Sequence, residues 1–477
     1  MSRSLTPALC RAGGVALACT LLWAGGALAQ QMPAPAPTPA APGTLSPVLV
    51  SDASDASAGI DLVQAVRAAA QTHPAVRGAA RQILQADEGI AAARAGYYPQ
   101  VRAGVGSQLS NRTISPYDSR RVHTASVSVS QMLYDFGKVA SAVQEAEASV
   151  AATQAQALLS VDDVARETAL AWLEVYRQQA MGEIARDQVR GVQALADLVM
   201  ERERKGASSR SDVEQARSRV EAARAQVLDT AAQVRRWRIS LMHLTGARSV
   251  GTIAGTPPAV LETACGAGAG ADGAAPPAVR LAQAQREQAE AALRAADAQL
   301  LPTLSLDGSV SRGLDARSRL PGDNGLSTSV GLNFSAPLYE GGGNQARQRA
   351  AVHALGAADA ALARARLVAA QELEDARAQA QGHAQRLPVL EARVASIRAT
   401  RDLYRQQYLQ LGTRSLLDLL NAEQEYHTVR FDHAASVHEQ YRLGLLCLYH
   451  TDRLRTAFGL DALPAVADGG LRPGGAR

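Results

Sequence analysis

The sequence predicts a mixed α and β fold in which one unit, a strand hairpin followed by long coiled-coil helices, occurs twice. Three observations carry this. Landmarks recur at a nearly constant spacing, four short segments alternate between apolar and polar residues, and the stretches between them keep a coiled-coil period.

The recurrence is read from ordered pairs. His73-Pro74-Ala75-Val76-Arg77 is answered by Pro276-Pro277-Ala278-Val279-Arg280, and Tyr98-Pro99 by Leu301-Pro302, each 203 positions on. Leu133-Tyr134 and Gly137 are answered 205 positions on by Leu338-Tyr339 and Gly342. Lys205-Gly206 and Asp212 are answered 206 positions on by Leu411-Gly412 and Asp418. A fixed-period self-similarity means a repeated supersecondary unit. The expected units are 60–246 and 277–460, each opening on a helical segment (60–98 and 277–300).

The alternating segments form hairpins at 100–134 and 303–338. Val101, Ala103, Val105 and Leu109 share one side, with Arg102, Gln108 and Ser110 on the other. Ala125, Val127 and Val129 alternate with Ser126, Ser128 and Ser130. Leu304, Leu306 and Val310 alternate with Ser305, Asp307 and Ser311, and Val330, Leu332 and Phe334 with Gly331, Asn333 and Ser335. Period-two alternation marks a strand with one apolar face. About 10 residues of it is the mark of a lipid-facing barrel strand, a small soluble sheet being the alternative.

No proline occurs between Pro116 and Pro257. Within that stretch 139–203 is expected as one helix. Val213, Ala216, Val220, Ala223, Val227, Thr230, Val234, Trp237, Leu241 and Leu244 step alternately by three and four. This is a period of about 3.5, the seam of a coiled coil. Pro388 is expected to interrupt or kink the matching helix of the second unit.

Bulk composition agrees. The 477 residues are only 4% aromatic, and lysine occurs only at Lys138 and Lys205. An Ala-rich, aromatic-poor chain suits closely packed long helices. Residues 1–29 read as a secretory signal peptide: Arg3 and Arg11, the apolar run Val15–Trp23, then Ala27-Leu28-Ala29 before Gln30. Cys19 sits in a faint lipoprotein-box context. Removing 1–29 takes two arginines and no acid from a net charge of +4, leaving +2. That balance gives no reason to expect nucleic acid. Cys265 and Cys447 remain, so a disulfide framework is excluded and a single bridge is open. Residues 30–59 read as a Pro/Ala-rich leader, 247–276 as a linker, and 461–477 as a flexible tail. No other segment holds 18 unbroken apolar residues, so any membrane crossing is left to strands.

Four such strands do not close a membrane barrel, which takes about eight or more. Open strand edges do not survive in lipid. Chains must therefore share a barrel, two giving eight strands and three giving twelve.

At the tips of the helical pairs the sequence resembles the TolC-type outer-membrane efflux protein family. The likeness is carried by Gly412-Thr413-Arg414-Ser415-Leu416-Leu417-Asp418-Leu419-Leu420-Asn421-Ala422 and by Ser211-Asp212-Val213-Glu214-Gln215-Ala216-Arg217. It implies a homotrimer: a 12-stranded transmembrane β-barrel continued by a long α-helical coiled-coil tunnel through the periplasm. The turns 204–212 and 410–418 would then lie at the periplasmic tip. Asp212 and Arg414 match a constricting pair, and Asp418 a ring of carboxylates inside the pore. Asn421 departs from a second acidic position, and Leu409, beside Tyr408, from a constricting tyrosine. Gly206 and Gly412 read as turn formers, and Asp212 and Asp418 also as helix N-terminal residues.

The resemblance further implies outer-membrane lipid, a periplasmic adaptor and an inner-membrane ABC transporter as partners. The cargo is expected to be a type I secreted protein toxin, the alternative being small compounds of a drug efflux pump. A second alternative is a soluble periplasmic coiled-coil scaffold or adaptor. There is no phosphate loop, no H-E-x-x-H and no nucleophile elbow, and His427, His433 and His438 do not share one helical face. The reading is of a conduit, not an enzyme, with no cofactor and no metal.

Overall fold

A computed structural model describes residues 59–109, 121–251, 253, 255–266, 275–314 and 325–460. The expected signal peptide 1–29, all but the last residue of the leader 30–59, and the tail 461–477 lie outside the described residues.

Each half begins with helix. The expected single segment 60–98 is in fact split into α1 (Leu62–Thr72) and α2 (Pro74–Arg94). Pro74 is the cause. The residue before a proline is pushed out of the helical region, and His73 sits at ψ 132. Asp61 caps α1 by accepting from the Val63 N–H at 3.3 Å. A 3₁₀ turn, Ala95–Tyr97, leads from α2 to the first strand.

Four strands follow in two hairpins: β1 (Gln100–Leu109), β2 (Arg121–Tyr134), β3 (Thr303–Gly313) and β4 (Leu326–Ser335). They form one antiparallel sheet in the order β1-β2-β3-β4. The register sets Val101 opposite Val129, Val127 opposite Val310, and Leu306 opposite Leu332. Paired residues point to the same side, so the apolar positions of all four strands share one face. That face is bare: Val105 is 75% and Val330 80% exposed. The other face carries Arg102, Ser126, Ser128, Asp307 and Ser329. There Asp307 accepts from Ser130 Oγ at 2.5 Å and from Ser305 Oγ at 3.0 Å.

The long helices are α3 (Lys138–Arg204) and α4 (Arg210–Thr245) in the first half. In the second half they are α7 (Gly343–Gln406) and α8 (Leu416–His450). Between them lie α5 (Val260–Thr263) and α6 (Pro277–Ala298); α9 (Leu454–Phe458) ends the described chain. The order helix, two strands, two long helices thus occurs twice. At 1.5 Å per residue α3 is about 100 Å long. No described helix is long and apolar enough to cross a membrane.

The α4 seam packs as its spacing requires. Val213, Ala216, Val220, Ala223, Thr230 and Leu241 are buried, while Leu228 on the opposite side is exposed. Pro388 does not interrupt α7, which stays helical from Gly343 to Gln406. A π turn over Gln407–Leu411 follows at the helix end.

The main core lies where α1 and the middle of α3 meet the ends of α4 and α8, with Trp172, Leu241, Leu445, Leu448 and Phe458 fully buried. Trp172 Nε1 donates to the Ile60 carbonyl at 2.9 Å, fixing the start of the described chain. The link between the halves is more than a spacer. Ile253, Leu261 and Ala264 join this core, and Cys265 is bonded to Cys447.

Candidate functional site

The far ends of the two helical pairs meet in a small separate cluster. Leu195 and Val199 of α3, Val213 of α4, Tyr408 of the π turn, and Leu416, Leu419 and Leu420 of α8 are buried together. Burying these side chains holds both reversals at one level, remote in sequence from the strands.

In the first reversal, Gly206 takes φ +72, and Ala207 N–H reaches back to the Arg202 carbonyl at 2.7 Å. This left-handed step closes the last turn of α3 and suits glycine. Ser209 then starts α4 with a capping box. Asp212 N–H donates to Ser209 Oγ at 3.1 Å, and Ser209 N–H donates to Asp212 Oδ2 at 3.0 Å. Ser208 Oγ adds a second donor to the same carboxylate oxygen at 3.0 Å. These bonds, the Ser209 backbone N–H foremost, hold the Asp212 carboxyl below the usual carboxylate range.

The second reversal is built differently. Gly412, at φ +62, follows the π turn. Ser415 caps α8 by accepting from Asp418 N–H at 3.1 Å. Here the Asp418 carboxylate faces Arg414 at 3.8 Å. Arg414 also donates from Nε to Gln407 Oε1 at 3.1 Å, and its guanidinium lies 4.4 Å from the centre of the Tyr404 ring. Tyr408 is buried under the Arg202 guanidinium, 4.8 Å from its ring centre, and Leu409 is the more exposed of the two.

Each predicted residue therefore has a definite place. Within one chain Asp212 is bound by its own turn and Arg414 by Asp418, with no ion pair between Asp212 and Arg414. Asn421 accepts from Arg219 Nη2 at 3.4 Å, joining α8 to α4.

A layer just above the reversals was not foreseen. Glu423 and His427, on one face of α8, are buried and joined Oε1 to Nε2 at 3.1 Å. Arg401 of α7 approaches Glu423 at 3.6 Å and stacks on Tyr426 at 4.3 Å. Arg430 pairs with Asp187 of α3 at 2.8 Å, and Gln188 donates to Gln424 at 3.0 Å. The Arg430 bond holds the Asp187 carboxyl below its usual range. The sequence signal was a glutamate and a histidine four apart amid apolar residues, a spacing that places both on one helical face. Among the described residues no three His, Cys, Asp or Glu side chains gather as a metal site.

The arrangement is a pair of helical reversals held by charge and small apolar contacts, at the opposite end of long coils from an amphipathic sheet. The profile of the family described as outer membrane efflux protein matches residues 65–247 and 274–441. The chain belongs to the outer membrane efflux protein family. It is similar to the outer membrane efflux protein BepC of Brucella suis, at 24% identity over 385 residues, 77% of this chain and 80% of that protein. The fold is that of VceC from Vibrio cholerae, with a TM-score of 0.70 at 18% identity over 82% of this chain and 95% of that one. CusC gives 0.71 at 18% identity, over 85% and 95%. As an outer membrane efflux protein, the chain is a channel of the outer membrane that extends into the periplasm. The alternative of a soluble scaffold is thereby removed. Proteins of this family are channels, not enzymes.

Proposed function

We propose that three copies of this chain form a passive exit duct, in which twelve strands close a barrel and the paired helices of the three chains form a tunnel ending at the reversals around Asp212 and Asp418. The single observation that carries this is the sheet. It has two edges, β1 and β4, an exposed apolar face and a polar face of serines and Asp307. In lipid neither edge can stay unpaired, and another copy supplies the missing neighbours on both sides.

At the reversals, the reading adds a gate between chains. Asp212 and Arg414 lie at the same level on different helical pairs, so a neighbouring chain can bring them together. One exposed ion pair contributes only about 0.2–1 kcal/mol. Threefold repetition makes a closure that a partner protein can open. The energy for transport comes from an inner-membrane pump joined through a periplasmic adaptor.

For the cargo, the sequence resemblance puts a protein passenger first, delivered by an ABC transporter. The Brucella relative is named an efflux protein, and export of small compounds is the second reading. Deleting the gene separates the two: loss of one secreted protein from the culture medium supports the first, and new sensitivity to small toxic compounds supports the second. For the gate, Arg414→Ser and Asp212→Ala are each expected to raise the conductance of the reconstituted channel. Unchanged closed-state conductance in both variants would remove the gate from these residues.

A further inference from the structure

The segment joining the two halves is docked on α8 by three residues that share one side of that helix. Tyr441 donates from its hydroxyl to Glu262 at 3.3 Å. At Gly444 the backbone of α5 comes so close that an added Cβ would meet the Leu261 carbonyl oxygen at 1.9 Å. Cys447, three residues further, is bonded to Cys265, their Cα atoms being 5.3 Å apart across 182 positions of sequence. Positions three apart along a helix lie on one face. Tyr441, Gly444 and Cys447 therefore form a single strip on which residues 261–265 sit. Leu261, Ala264 and Cys447 are buried there, while Cys265 is half-buried.

We propose that Cys265 and Cys447 are an oxidative modification site, joined in the periplasm by a disulfide-donating thiol oxidant as α5 seats on α8, and that the bridge then clamps the link between the halves to the upper end of α8. The order follows from access. Cys447 is closed off under the link, so the oxidant meets the half-buried Cys265, and the seat of α5 at Gly444 brings Cys447 to it. The Cys265 thiolate attacks one sulfur of the oxidant's disulfide, giving a mixed disulfide and releasing the oxidant's other sulfur as a thiolate. The Cys447 thiolate then attacks the Cys265 sulfur and displaces the oxidant. The chain loses two electrons and two protons. The oxidant leaves as a dithiol, having gained both.

The clamp acts on function through position. α8 carries Ser415 and Asp418 at its far end and Cys447 at its near end. Fixing the near end to the inter-half link gives the long helix one immobile end about which the rest can bend. The glycine strip gives the close seat, and the bridge keeps it occupied when the coils flex. Closing a loop of this size chiefly restricts the unfolded chain, so the effect is expected in assembly and heat resistance.

The test starts from outer membranes lysed with a maleimide present, then unfolded and digested without reductant. The expected result is a joined Cys265–Cys447 peptide with neither thiol labelled. In cells lacking the periplasmic thiol oxidant both cysteines should be labelled, and protease-resistant channel in the membrane should fall several-fold. The C265S/C447S double variant should be equally poor with or without the oxidant. Because that variant may fail to fold at all, purified wild-type channel is also treated with a phosphine reductant. Its thermal midpoint should drop by several degrees. Labelled cysteines in channel from oxidant-proficient cells would overturn the proposal. So would a bridge whose reduction leaves the midpoint unchanged and whose oxidant can be lost without loss of channel.

Discussion

Gly191 of α3 lies directly against Glu423 of α8: a Cβ added to the glycine would stand 2.2 Å from Glu423 Oε1. The carboxylate is itself held by His427 and Arg401. Moving it to admit even a methyl group breaks both contacts inside a buried layer. Gly191→Ala is therefore expected to destabilise the folded channel by about 1–3 kcal/mol, the range for overpacking. Gly182 on the same helix is the control. An added Cβ there meets nothing nearer than 3.7 Å. Gly182→Ala is expected to stabilise by about 0.5–1 kcal/mol, through helix propensity. Thermal unfolding of the two variants in detergent compares them, and equal shifts in the same direction would discount the contact.

The two caps at the tip offer a second comparison. Ser209 and Ser415 each accept from the backbone N–H of the third residue of the following helix. Replacing either with alanine is expected to cost about 1 kcal/mol locally. Ser209→Ala should cost more, because Asp212 returns a bond to Ser209 while no such return bond is made at Ser415. Limited proteolysis at 204–212 and 410–418 reads the difference. Faster cleavage of the second site in Ser415→Ala than of the first in Ser209→Ala would contradict it.

Much of this was legible in the sequence, for a physical reason in each case. The α4 seam was visible because a helix packed along one stripe repeats its small and branched residues about every 3.5 positions, and of those residues six are buried while Val227, Val234, Trp237 and Leu244 are half-buried. The strands were visible because each has one apolar side. Gly206 and Gly412 marked the reversals because a left-handed residue there favours glycine. The break at His73-Pro74 was readable too, since proline acts on the residue before it, yet continuous helical composition on both sides hid it. Pro388 does not interrupt α7, because neighbouring turns of a long packed helix carry it past one lost hydrogen bond. The Arg414–Asp418 contact lay at a spacing of four and was open to inspection. The Glu423, Arg401 and Gly191 layer was not, because it joins three helices whose pairing no local pattern states. Nor did spacing pair Cys265 with Cys447. Only the seat of α5 on Gly444 brings them together.

Acid should loosen the first reversal. The Asp212 carboxyl titrates below its ordinary value of 3.8 because Ser209 and Ser208 donate to its charged form. A carboxyl depressed by folding contributes stability that is present above the unfolded value and lost as pH falls through the folded one. Asp187, depressed by Arg430, acts in the same direction where α3 meets α8. Thermal midpoints taken downward from pH 5 should therefore fall. The fall should be shallower in Asp212→Asn and Asp187→Asn. A profile identical to wild type in both variants would assign the acid sensitivity elsewhere.

Asp418 and Arg414 give a prediction with opposite signs. In one chain the Arg414 guanidinium stands 3.8 Å from the Asp418 carboxylate and partly neutralises it. If three such carboxylates line the duct at one level, their field favours cations. Asp418→Asn should then move the reversal potential in a salt gradient toward that of an unselective pore. Arg414→Ser should move it the other way, because it unmasks the carboxylate. The two substitutions also differ in conductance. Arg414→Ser is expected to raise it by releasing the contact between chains as well as the contact within one. Asp418→Asn removes charge from the path without touching Asp212. A reversal potential unmoved by both substitutions would place Asp418 off the conduction path, and the carboxylate would then serve only the first turn of α8.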